Sequence, residues 1–212
     1  MNKTALPESP SLYLLSLGCP KNRVDSEVML GTLLDEGYRL VDRPEEAEVI
    51  LINSCAFIGE AKQESIDAIL EHARHKETGR CKALVVAGCL TQRYAEVLQQ
   101  EMPEVDYFVG TSAYPRIAGI LKGERDRAVI PDPDYIADSR TPRRNSMPGW
   151  TAYVKVSESF SRLSLRTRPS RSTIKGALAN RTSLFPEPSA MSRAPLAPGR
   201  ISSVSPPVLL FR

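Results

Sequence analysis

The chain has 212 residues, 42% of them hydrophobic and 25% charged, which suffices for one packed α/β domain plus a remainder. No apolar run approaches the roughly 20 residues of a membrane span, and no signal-type stretch precedes the first apolar run, so a cytoplasmic setting with reduced thiols is expected. The formal net charge of +3 divides into −5 over residues 1–158 and +8 over residues 159–212, as if two different polymers had been joined.

Residues 1–10, with Pro7 and Pro10, read as a loose start. Residues 12–17 read as a first strand. After Cys19 come Pro20, suited to a first helical position, and Asn22, a candidate cap. Val24, Val28, Leu30, Leu33 and Leu34 then follow at helical spacing, with Gly37 as the stop. Residues 39–41 read as a short edge strand and residues 44–47 as a helical turn.

The run Val49, Ile50, Leu51 and Ile52 is apolar without alternation, which predicts a strand buried on both faces, as in a parallel sheet. Beyond Cys55 a helical stripe of Ile58, Ala61, Ile66, Ile69, Leu70 and Ala73 extends towards Gly79, with His72 and His75 expected in solvent at its polar end. Residues 83–87 form the third predicted strand. Past Cys89, Thr91 is the candidate cap of a helix carrying Tyr94, Val97, Leu98 and Met102 up to Pro103.

A fourth strand over 107–110 and a short helix over 112–121 complete the expected domain. Residues 126–149 are rich in Pro, Arg and Asp and read as a linker or extended crossing. Residues 151–156 alternate like the first strand of another unit. From 159 onward Ser, Arg and Pro dominate, and the few apolar residues lack a sustained period, so a disordered basic tail is expected. Arg and Ser can bind RNA, but no aromatic interleaving accompanies them there.

The four cysteines carry the chemistry. Cys19, Cys55 and Cys89 each stand just past the end of an apolar run and just before a helical segment, 36 and then 34 residues apart. Strand, cysteine turn, helix, three times over, predicts a doubly wound, mainly parallel α/β sheet of flavodoxin-like or Rossmann-like type. Its three thiols would meet at the sheet edge where such folds bind ligands. Three thiols leave one over from any disulfide pairing and suit a soft metal centre, either an iron–sulfur cluster or zinc. Zinc usually takes four ligands, and no fourth is evident. A flavodoxin-like nucleotide binder is the non-metal alternative, although no Gly-rich phosphate fingerprint follows the first strand. Cys81 precedes the third strand by two residues, so the extended segment to Cys89 holds the two roughly 26 Å apart and assigns Cys81 to the opposite edge.

The strings from Ser16 to Glu27 (SLGCPKNRVDSE), Asn53 to Ile58 (NSCAFI) and Ala87 to Tyr94 (AGCLTQRY) together resemble the N-terminal domain of the radical-SAM methylthiotransferases. The resemblance covers residues 11–158. Pro20 and Lys21 place it with the branch acting on an aspartate of a small-subunit ribosomal protein, since tRNA-modifying relatives usually carry Gln and Met there. A tRNA-modifying protein remains the alternative. The resemblance implies that Cys19, Cys55 and Cys89 bind one auxiliary four-iron four-sulfur cluster with an open iron, and that residues 11–125 form the cluster-binding domain. It implies no membrane partner and no direct DNA binding.

Residues 151–158 resemble the strand that leads into the radical-SAM barrel. The family continues with Cys-x3-Cys-x2-Cys, whereas Phe160, Ser164 and Thr167 occupy about those positions here. S-adenosylmethionine and a second four-iron cluster are therefore expected only in an intact family member. A shifted reading frame or truncation from about residue 159 is the expectation for the tail, and catalytic incompetence that for the chain alone.

Overall fold

The computed structural model of the chain describes residues 6–123, 126–155 and 210–211. Six strands run parallel in the order β2-β1-β3-β4-β5-β6: β1 (Ser11–Ser16), β2 (Arg39–Leu40), β3 (Val49–Ser54), β4 (Ala83–Gly88), β5 (Tyr107–Val109) and β6 (Ala128–Val129). A further two-residue strand, β7 (Leu210–Phe211), pairs in parallel with β1 at Leu15 and Ser16. The order 2-1-3-4-5 is the flavodoxin-like winding, in which the chain leaves β1 in one direction and returns past it in the other. The doubly wound parallel sheet expected from the sequence is the fold observed.

Every residue of β1, β3 and β4 is buried, because helices cover both faces of the sheet. On one face Val28, Met29, Leu30 and Leu33 of α1 (Pro20–Asp35) pack with Leu12, Leu14, Val49 and Leu51, beside Ile117, Ile120 and Leu121 of the helix (Ile117–Leu121) that follows β5. On the other, Ile66, Ile69 and Leu70 of α2 (Gly59–Ala73) and Leu90 and Leu98 of α4 (Cys89–Glu101) pack with Tyr13, Leu15, Ile50 and Ile52. Neighbours along each strand thus feed opposite cores, as the two-residue period requires. Each such fully buried side chain contributes roughly 1.5–3 kcal/mol. A single turn, α3 (His75–Thr78), follows α2, and Ile117–Leu121 is α5.

Several local expectations change. Asn22 caps nothing: Cys19 is the N-cap of α1, Pro20 occupies the first turn, and Asn22 is buried inside that turn. Thr91 lies within the first turn of α4, whose N-cap is Gly88. His72 is buried rather than solvated, with its ring stacked on Tyr13 at 5.5 Å and Nδ1 2.8 Å from the Ala68 carbonyl. Ile58, assigned to the buried stripe, is half exposed at the N-cap of α2. The segment over 112–121 is split into a 3-10 turn (Tyr114–Arg116) and α5.

Residues 143–146, within the stretch that reads as a linker or extended crossing, lie against α1 and change its surroundings. Arg143 donates to Glu27 at 2.6 Å, the Ser146 amide and hydroxyl reach the same carboxylate, and the Arg144 amide donates to the Glu27 carbonyl at 3.0 Å. Glu27 is 1% exposed, so α1 is covered on its polar side as well as its apolar one. Residues 151–155, expected to be a strand, form none in the structure. A strand is defined by its ladder, and no neighbouring strand stands beside them among the described residues. The expectation of a disordered tail concerns residues outside those described, save the pair in β7.

Candidate functional site

The three cysteine turns share the C-terminal edge of the sheet. Cys19 lies three residues past β1 and is exposed; Cys55 directly follows β3 and is buried; Cys89 directly follows β4 and is half-buried. Cys19 and Cys55 flank the switch point between β1 and β3, where the winding reverses and where this architecture opens a crevice.

Close approach of the turns explains the two glycines. A Cβ on Gly18 would lie 2.6 Å from the Cys55 Cβ and 2.8 Å from its Sγ, so only glycine lets the first turn rest on the second cysteine. Gly88 adopts φ +100°, and a Cβ there would strike the Asn53 Oδ1 and the Ser54 carbonyl. The third turn is thereby pressed against the end of β3.

Asn22 ties the turns together. Its Nδ2 donates to the Leu17 carbonyl at 2.9 Å and to the Ser54 carbonyl at 3.0 Å, which precede Cys19 and Cys55, while its Oδ1 lies 3.6 Å from the Cys89 Sγ. One buried amide therefore contacts all three turns. Beneath it Asn53 donates to the Asn22 carbonyl at 2.7 Å and to Ser26 Oγ at 2.9 Å, and Ser26 donates to Ser16 Oγ at 2.7 Å. Ser65 of α2 accepts from the Cys55 amide at 2.9 Å and donates to the Cys55 carbonyl at 3.1 Å, and Arg93 donates to the Ala56 carbonyl at 3.1 Å. Lys155, at the end of the crossing segment, forms a 2.7 Å ion pair with Asp25 of α1, both side chains being under 10% exposed.

Burial pushes the Cys89 thiol up to about 12, with charge at Cys55, Asp25 and Cys19 adding to the rise and Lys155 opposing it. Burial also raises Cys55, and charge at Cys19 adds to it. The three sulfurs thus sense one another, and in the metal-free chain Cys55 and Cys89 hold their protons at neutral pH. Among the described residues no group of three His, Cys, Asp or Glu side chains closes on a single metal ion. Cys81 is absent from the site: it is buried two residues before β4, at the N-terminal edge, as its position in sequence implied.

The family described as uncharacterized protein family UPF0004 matches residues 11–110. Among curated proteins, "Ribosomal protein uS12 methylthiotransferase RimO" of Myxococcus xanthus (strain DK1622) is 62% identical over 157 residues, which is 74% of this chain and 33% of that protein. Over this domain the chain is similar to methylthiotransferases of this type. The protein of the same name from Anaeromyxobacter sp. (strain K) is 57% identical over 148 residues, covering 69% of this chain and 32% of its own length. That from Sorangium cellulosum (strain So ce56) is 53% identical over 155 residues, covering 73% and 32%. The chain spans about a third of the length of the curated relatives it matches.

The cysteines were legible in the sequence as ligand candidates; the groups that fix their turns were not. Asn22 reads as a helix cap and Ser65 as an ordinary helix residue, and the signal for Asn53 is a single amide ending the apolar run Val49–Ile52. No helix among the described residues is long and apolar enough to cross a membrane.

Proposed function

We propose that this domain holds one four-iron four-sulfur cluster on Cys19, Cys55 and Cys89, as the auxiliary-cluster part of a methylthiotransferase that modifies a small-subunit ribosomal protein. The observation that carries the proposal is the single buried amide of Asn22 in contact with all three cysteine turns. The substrate class comes from the names of the curated relatives, whose activity is directed at ribosomal protein uS12.

Around such a group the chain's own residues have distinct tasks. Gly18 and Gly88 bring the turns into contact, and Asn22 and Ser65 hold the backbone on either side of the sulfurs. Helices α1 and α4 begin at Cys19 and Cys89, so their N-terminal dipoles favour thiolate charge over thiol. When bound, the cluster supplies an iron with an open position, since three thiolates serve a group that can take four. The sequence has four cysteines in all and no second triad. We therefore propose that this chain alone neither cleaves S-adenosylmethionine nor transfers a methylthio group.

The test is anaerobic reconstitution with ferrous iron and sulfide, followed by metal and sulfide analysis. About four irons and four sulfides per chain, with the charge-transfer absorption of a cubane, are expected. Iron without sulfide, zinc alone or an unloaded chain would overturn the assignment.

A further inference from the structure

On the β2 side of β1, a stretch that β2 does not pair lies beside an acidic wall. β2 pairs with β1 only at Ser11 and Leu12, which leaves Leu14 to Ser16 uncovered by it. A cavity of about 590 Å³ opens along this stretch, floored by Tyr13, Leu15 and Leu17. Its wall is α2, whose Glu60, Glu64, Asp67 and Glu71 all border it. Spacings of four, three and four put these carboxylates on one helical stripe. Among the described lining residues no Lys or Arg faces them.

We infer that this groove docks an extended, basic polypeptide segment that adds to β1 as a parallel strand. The first support is that the edge already takes one: Leu210 and Phe211 pair with Leu15 and Ser16 in parallel. The second is charge. A row of like charges on a helix is mutually destabilising, and a cationic partner relieves it. An edge strand presents unpaired amides and carbonyls that give such a peptide its affinity, while alternate side chains give specificity. Residues of the added strand in register with Leu15 face the same side of the sheet as Leu15, so Lys or Arg is expected at every second position on the side of α2.

Direction also matters. A parallel strand on β1 runs towards Leu17, Gly18 and Cys19, so whatever follows the docked segment is delivered to the cysteine edge. The inference rests on the proposed function only in taking this peptide as the substrate side; the docking itself does not require a bound cluster.

The experiment is titration of the full, cluster-free chain with a fluorescent peptide alternating arginine and threonine, read by anisotropy. Binding that weakens with salt is expected, together with a loss of about tenfold in affinity for the double variant Asp67→Lys and Glu71→Lys. The same peptide N-methylated at alternate amides, unable to pair with a strand, should not bind, and this arm needs no change to the protein. The full chain carrying Leu210→Pro and Phe211→Pro, which cannot keep β7 paired, should bind the peptide more tightly. Absence of binding by both wild type and the proline variant, indifference to the charge reversal, or equal binding of the N-methylated peptide would each overturn the inference. Iron and sulfide content after reconstitution, measured in parallel, reads the proposed function independently.

Discussion

Cys81 and Cys89 stand at the two ends of β4, both in thiol-raising surroundings, and only one of them has company. Cys81 is pushed up to about 11 by burial first, with Asp106 adding to the rise. Cys89 is pushed up to about 12 by burial first, with two other cysteines and Asp25 adding to it. The N-terminal edge holds a small buried side chain; the C-terminal edge holds a constellation. Burial and pKa alone do not separate the two, whereas topology does. Parallel winding returns the chain to the same edge after each strand, so three thiols can be gathered there at the cost of three short turns.

The sharpest way to break this contrast is to remove one sulfur from each end. Cys55→Ser or Cys89→Ser should abolish stable cluster binding on reconstitution, while Cys81→Ser should load as the wild type does. A cluster undiminished in Cys55→Ser, or lost in Cys81→Ser, would remove the distinction between the edges.

The next effect comes from the turns themselves. Gly37 and Gly88 both have positive φ, but at Gly37 an added Cβ would find only the Glu8 carbonyl, at 3.7 Å, while at Gly88 it would meet Asn53 and Ser54. Gly37→Ala should therefore cost about 1–2 kcal/mol, the backbone term alone. Gly88→Ala adds overpacking of about 1–3 kcal/mol and should displace Cys89. Urea unfolding of both variants checks the ordering; equal costs would mean that the third turn is not pressed against the second.

Asn22→Ala tests the tie between the turns. It leaves the Leu17 and Ser54 carbonyls without their buried donor, which should cost about 1–3 kcal/mol in stability. It should also alter the paramagnetic spectrum of the reduced reconstituted protein, a change that a merely destabilised fold would not produce. Asn22→Asp, which keeps the shape but loses the donors, should behave like the alanine variant.

Much of the contrast could be read in the sequence. The unbroken apolar runs before Cys55 and Cys89 forced buried parallel strands, and strand followed by helix forced all three cysteines to one edge. The spacing of Cys81 ahead of β4 likewise placed it at the other. The coverage of α1 was not legible, because nothing near Glu27 in sequence signals that Arg143 and Ser146, more than a hundred residues later, cross over it. His72 misled for the same reason: its helix position is polar by local pattern, and Tyr13 from a distant strand buries it. Local periodicity reports only the contacts that neighbours in sequence imply. Polar groups engaged by remote segments look exposed.

The smallest expected effect separates the two thiols by pH. Both have folded-state values above the ordinary thiol value of about 8.5, so the folded, metal-free chain retains protons that the unfolded chain gives up. The stability they contribute is fully present below pH about 8.5 and declines as pH rises towards about 11 for Cys81 and about 12 for Cys89. Each such proton can account for at most about 1.4 kcal/mol per pH unit, and Tyr38, itself raised to about 12 by burial, adds only above its ordinary value near 10. On the proposed function, Cys89 in the reconstituted protein is coordinated and has already lost its proton, so its share of the alkaline decline should vanish while that of Cys81 persists. Denaturation midpoints at pH 8 and 10, with and without cluster, measure this: a shallower decline on loading is expected. An identical decline in the two forms would mean that Cys89 is not a ligand. A decline unchanged in Cys81→Ser would mean that the N-terminal-edge thiol does not titrate with folding.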